Sequence, residues 1–118
     1  MSELLGAAKA HFSALVDGEL ESLEVKEWPI NGEPAKIFFR RYLTVEQKGE
    51  LVALYNDNKP YEMMVMAIIY ASRKENGDLW FNKMDKFQLM RQVDPTVIED
   101  IFGRMELFSV DEEEIAKK

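Results

Sequence analysis

The chain has 118 residues, 47% hydrophobic and 31% charged, enough for one core and a solvated surface but too short for two ordinary domains. It holds no cysteine and one histidine, His11, which removes disulfides, thiolate nucleophiles, Cys-ligated zinc and most nucleophile–base pairs. A formal net charge of -7 disfavours contact with a phosphate backbone. The most apolar stretch, Met63 to Ala71, falls far short of the ~20 residues of a membrane span. Neither nucleic acid nor membrane is therefore expected as a partner. The opening residues lack the basic start and apolar run of a signal peptide, so the chain reads as soluble and unexported.

Residues 3–16 have helical spacing. Ser2 is placed as N-cap, and Leu4, Leu5, Ala8, Phe12, Leu15 and Val16 share one stripe. Asp17-Gly18 is the expected stop, with Gly18 in a left-handed position. From Leu23 the period becomes two, through Val25 and then a shift to Trp28, which predicts a half-exposed strand with acids on its wet face. Asn31-Gly32 is the strongest hairpin signal in the chain. The return strand runs from Ala35 to Leu43, with Ile37, Phe39 and Arg41 on one face and Phe38, Arg40 and Tyr42 on the other.

Helical spacing returns at Thr44, whose hydroxyl forms a predicted capping box with Gln47. Leu51, Val52, Leu54 and Tyr55 make the apolar side of this helix, and Asn56 to Pro60 ends it. The next helix, from Tyr61 to about Lys74, is apolar nearly all round and belongs at the centre of the core. Glu75-Asn76-Gly77-Asp78 is a turn, and Leu79-Trp80-Phe81 a short extended link. Asn82 or Asp85 opens a helix holding Met84, Phe87, Leu89, Met90 and Val93. Asp94-Pro95 starts another that runs to about Phe108. The predicted fold is α+β: a helix-rich single domain over residues 1–108 with an N-terminal helix, one antiparallel β-hairpin and a C-terminal bundle of about four helices. Residues 109–118 form a charged tail.

No catalytic constellation emerges. Gly32 and Gly77 stand alone in turns and belong to no phosphate-binding loop. The acidic run Asp111 to Glu114 lacks the glycine and ligand spacing of a calcium loop and reads as solvated surface. No enzyme activity, metal site or cofactor is expected. Binding has more support, because seven methionines and seven phenylalanines are a rich supply of adaptable apolar side chains for one small domain. Candidate partner-binding residues are Phe38, Arg40 and Tyr42 on the hairpin and Met63 and Met66 on the apolar helix. Trp80 and Phe81 on the link, with Met84 and Met90 beyond it, complete the set. For any single methionine at helical spacing, core filling is the favoured reading. Charge is also unevenly placed. Residues 1–34 carry seven acids and two bases, residues 35–93 ten bases and seven acids, and residues 94–118 eight acids and three bases. That layout suits self-association between unlike surfaces or a chain folded back on itself, but a solvated surface with chance clustering is the preferred reading.

The order of these elements resembles the tail assembly chaperones of long-tailed, siphovirus-type bacteriophages. The resemblance rests on the acidic strand ending in Trp28-Pro29, the aromatic and basic strand Ile37 to Tyr42, and the helix start Leu43-Thr44-Val45-Glu46. It continues through the apolar helix Met63 to Ser72, the Glu75-Asn76-Gly77-Asp78 turn with its following aromatics, and the closing helices Phe87 to Phe108. It covers about residues 20–108 as a pattern of element order and side-chain class. It implies a protein of the host cell cytoplasm that binds the apolar-rich tape measure protein, keeps it soluble and lets tail tube protein polymerise around it. It also implies homo-oligomers and a longer, frameshifted form of the chain, for which Ala116-Lys117-Lys118 would suit a slippery adenine-rich stretch. Two rival readings are a structural virion component, such as a head–tail connector or tail-tube-associated protein, and an acidic regulator that mimics nucleic acid. The second rival needs an ordered stripe of carboxylates, whereas the acids here split around a basic middle.

Overall fold

The computed structural model describes residues 2–107. The expected charged tail, the acidic run Asp111 to Glu114, Ala116-Lys117-Lys118 and the expected extension of the last helix to Phe108 lie outside the described residues.

Helix α1 spans Glu3–Val16, and Ser2 caps it by accepting from the Leu4 and Leu5 amides. It ends at Asp17. Gly18 does not take the left-handed conformation expected of it; the Leu15 carbonyl, 3.3 Å from where a Cβ would sit, crowds this position instead. Strands β1 (Glu21–Ile30) and β2 (Glu33–Phe39) form the hairpin. Asn31 and Gly32 both have positive φ, 54° and 83°, the two-residue turn whose twist matches that of the strands it joins.

Leu23 pairs with Ile37 and Val25 with Ala35, which sets one apolar face toward the core. Between Val25 and Pro29 the register shifts. Pro29 and Pro34, paired beyond that shift, have no N–H to offer the ladder. The return strand ends at Phe39, four residues before the predicted limit. Past Phe39 the chain turns, and the Arg41 side chain crosses to the Glu21 and Glu106 carboxylates.

Helix α2 (Val45–Asn56) carries the expected capping box between Thr44 and Gln47. Its C-terminus closes on Asn58, at φ 63°, with Asn58 N–H donating to the Tyr55 carbonyl and Lys59 N–H to that of Leu54. Pro60 then takes the first position of α3 (Pro60–Ala71), where its missing N–H costs nothing. Eight residues of this helix are buried, the central position its composition predicted.

Helix α3 stops three residues before the predicted Lys74. Ser72 turns extended, and Ser72–Arg73 forms a third strand, β3, antiparallel to β2 through the pairs Phe39–Ser72 and Phe38–Arg73. The sheet order is β1-β2-β3. Asn76 and Gly77 make the turn back, and Leu79 bridges to Arg73. Of the two proposed start signals after the link, Asn82 acts as the cap, while the Asp85 carboxylate accepts from the Asn82 amide and makes no cap bond to the next helix. Asn82 caps a 3₁₀ turn at Lys83–Asp85, and Asp85 precedes α4 (Lys86–Arg91). Helix α5 (Pro95–Met105) starts as expected at Asp94-Pro95 and buries Val97, Ile98, Ile101 and Met105.

The fold is thus an α+β single domain, with an N-terminal helix, an antiparallel hairpin plus a short third strand, and four further helices. One core joins the inner sheet face to the helices: α2, α4 and α5 pack on α3, and α5 reaches β1. Within it the Tyr70 hydroxyl donates to the Glu50 carboxylate. Burial, then that carboxylate, pushes the Tyr70 pKa up to about 12.

Candidate protein-interaction site

The nine candidate residues separate into three environments. Met63 is 3% exposed and Met66 8%, because both sit on the all-round apolar helix α3. The expectation that they meet a partner is corrected for Met63, which is core. Met66 is buried as well but reaches the floor of a groove described below.

The hairpin residues occupy the outer face of the sheet and its end. Ser22, Phe38, Arg73 and Leu79 are cross-strand neighbours in one row, so their side chains share that face. Phe38 is half-buried beneath the Lys36 ammonium, which stands 5.3 Å from its ring centre. Arg40 donates from Nε to the Gly18 carbonyl at 3.4 Å, tying the end of β2 to the α1–β1 connection. Tyr42 is exposed and lines a hollow with Phe12 and Leu15 of α1, Leu43 and Leu107.

The third environment is the link and α4. Trp80 and Phe81 are half-buried and pack against the core. Trp80 lies under Lys74 at 5.3 Å, and its indole N–H is buried without an acceptor. Met84 and Met90 are exposed, at 76% and 40%. Between them Phe87, not among the nine, is 54% exposed and flanked by Lys86 and Arg91, 5.9 Å and 5.7 Å from its ring centre. Met84, Phe87 and Met90 recur every three residues and make an apolar ridge with a basic margin. A signal for Phe87 was present in the sequence, since its neighbours Lys86 and Arg91 set cations beside it on one turn.

Beside this ridge lies a groove of about 460 Å³ between α2 and α4. Ala53, Leu54, Met66 and Phe87 give it an apolar floor. Glu50 and Asp57 stand on the α2 side, Lys83 and Lys86 on the other. Lys86 also binds Glu62 at 2.9 Å, which holds α4 to the start of α3 and draws the Glu62 carboxyl below its ordinary pKa.

Helix α1 is the feature whose role the sequence did not disclose. Its apolar stripe was legible, but no residue of it is buried. Leu4 is 79% exposed and Leu5 46%. Only its C-terminal half, through Phe12, Leu15 and Val16, is partly covered. Its apolar side is one that no other described residue buries.

Among the described residues no group of three or more His, Asp or Glu could hold a metal ion, and no helix is long and apolar enough to cross a membrane. Set against models of known protein families, curated proteins and solved structures, the chain matches none.

Proposed function

We propose that this chain is a protein-binding assembly chaperone that holds an apolar-rich helical client in solution. Following the resemblance in element order, the client is the tape measure protein of a long-tailed bacteriophage, and tail tube protein polymerises around the pair. The observation that carries the binding role is the combination of an uncovered apolar face on α1 with the exposed Met84–Phe87–Met90 ridge. Exposed large apolar side chains grouped on a small domain mark a binding site, and methionine on such a surface adapts to irregular helical partners. The tape measure assignment draws on the resemblance alone.

Co-expression with a tape measure protein of a long-tailed bacteriophage tests the reading. The expected result is a soluble complex that survives size-exclusion chromatography and is weakened by Phe87→Asp. A tape measure protein that stays insoluble, or elutes without this chain, overturns the assignment. Abundant copies of the chain in purified virions would instead favour a structural component.

A further inference from the structure

We infer that Arg40 and Arg73 form a docking site on the outer sheet face for an extended acidic protein segment with carboxylates at alternate positions. This surface is separate from α1 and from the Met84–Phe87–Met90 ridge, so the inference stands apart from the tape measure assignment.

Arg73 lies opposite Phe38 in the sheet, and Arg40 follows Phe38 by two positions. The two arginines are therefore diagonal neighbours on one face, a spacing of about 7–8 Å. Each is half-buried and pinned by backbone carbonyls. Arg73 Nη1 donates to the Tyr70 carbonyl at 2.7 Å and to the Ser72 carbonyl at 3.2 Å, and Arg40 Nε donates to that of Gly18. Carbonyls position a guanidinium without neutralising it. Among the described residues neither arginine meets a carboxylate, whereas Arg41 and Arg104 both do. Arg73 Nε and Nη2 and both Nη atoms of Arg40 find no protein acceptor among those residues. Burial, then the nearby Arg40 charge, holds the Arg73 guanidinium below its ordinary pKa, the condition of a cation without a counter-charge.

The ligand follows from this arrangement. A guanidinium fork makes charge-assisted, bidentate bonds to a carboxylate. In an extended segment the side chains at i and i+2 point the same way, about 7 Å apart, which matches the spacing of the two arginines. Beside the charges stand Leu79, 54% exposed and bridged to Arg73, and the half-buried ring of Phe38 with the Lys36 ammonium over it. These give a peptide apolar contact that a free phosphate would not use. Nucleic acid is repelled by a chain of net charge -7.

The test titrates the full-length chain at low salt with a synthetic peptide of alternating glutamate and serine, read by calorimetry and by amide chemical shifts. The peptide is expected to bind and to shift the amides of Phe38, Arg40 and Arg73, and its glutamine counterpart to do neither. Arg40→Gln and Arg73→Gln, each checked by circular dichroism for native helix content, are each expected to weaken binding about tenfold. Arg40 lies beyond the last residue of β2, so Arg40→Gln tests the site even where Arg73→Gln disturbs the fold. Lys9→Gln removes the same charge from α1 and is expected to leave the affinity unchanged. A wild type that does not bind overturns the proposal. So does binding that survives both arginine substitutions, or one that Lys9→Gln weakens equally. Displacement of the peptide by inorganic phosphate at equal concentration would assign the pair to free anions and overturns the peptide. An affinity that rises in Asp111→Asn/Glu112→Gln/Glu113→Gln/Glu114→Gln would give the site to the chain's own acidic run, and also counts against a separate partner.

Discussion

Helices α1 and α3 are similar in length and opposite in condition. α3 has twelve residues and buries eight of them; α1 has fourteen and buries none. Apolar residues on α3 are stabilised by the chain's own sheet and helices. Those on α1 gain little from folding of the monomer, since apolar side chains left in water contribute almost nothing to the driving force. The molecule is therefore a packed body with an exposed helical arm, and α4 shares features of both. Leu89 roots α4 in the core while Met84, Phe87 and Met90 face outward.

The largest expected contrast compares one core and one arm residue. Ile68 is fully buried, and Ile68→Ala is expected to cost about 2–5 kcal/mol in denaturant unfolding of the monomer. Leu4 is 79% exposed, and Leu4→Ala is expected to change monomer stability by no more than about 0.5 kcal/mol. Comparable losses at the two positions would break the division into body and arm.

What the sequence disclosed follows the range over which each feature is encoded. Caps and turns are written within three or four residues, and Ser2, Thr44–Gln47, Asn31-Gly32 and Asp94-Pro95 all occupy the predicted roles. The all-round apolar character of α3 likewise placed it at the centre. Coverage is a tertiary property. The stripe of α1 and that of α5 obey the same spacing, yet Ile101 of α5 is fully buried and Leu4 of α1 is open to water. Met63 and Met84 are the same residue type on neighbouring elements, one core and one exposed, because α2, α4 and α5 close around α3 while Met84 stands at the surface. The strand Ser72–Arg73 was hidden because two residues cannot show an alternation, and its pairing partners lie over thirty residues upstream.

Two N-caps sharpen the same contrast at lower energy. Thr44 caps α2, which packs on α3 and contributes Leu51 to the core, so Thr44→Ala is expected to lower global stability by about 1 kcal/mol. Ser2 makes an equivalent cap on α1. There Ser2→Ala is expected to fray the first turn, seen as faster amide exchange at Leu4 and Leu5, while the global transition stays in place. A fall in the global midpoint on Ser2→Ala would mean that α1 unfolds with the body.

The smallest effect concerns how α4 is held to that body. Lys86 donates to Glu62 at 2.9 Å across the gap between α4 and α3, and both side chains are mostly covered. The hydrogen bond from Lys86 is the largest cause lowering the Glu62 pKa from 4.5, so the folded state holds this proton more weakly than the unfolded chain does. The sign follows from that. The stability this pair contributes is fully present above about pH 4.5 and is lost as pH falls through the lower folded value. Glu62→Gln is expected to remove up to about 1 kcal/mol at pH 7 and to flatten the acid limb of the stability curve by the same amount. If wild type and variant instead lose stability in parallel between pH 7 and pH 3, charge does not hold α4 down. Leu89 then anchors α4 alone, and the exposed ridge owes its position to a single buried side chain.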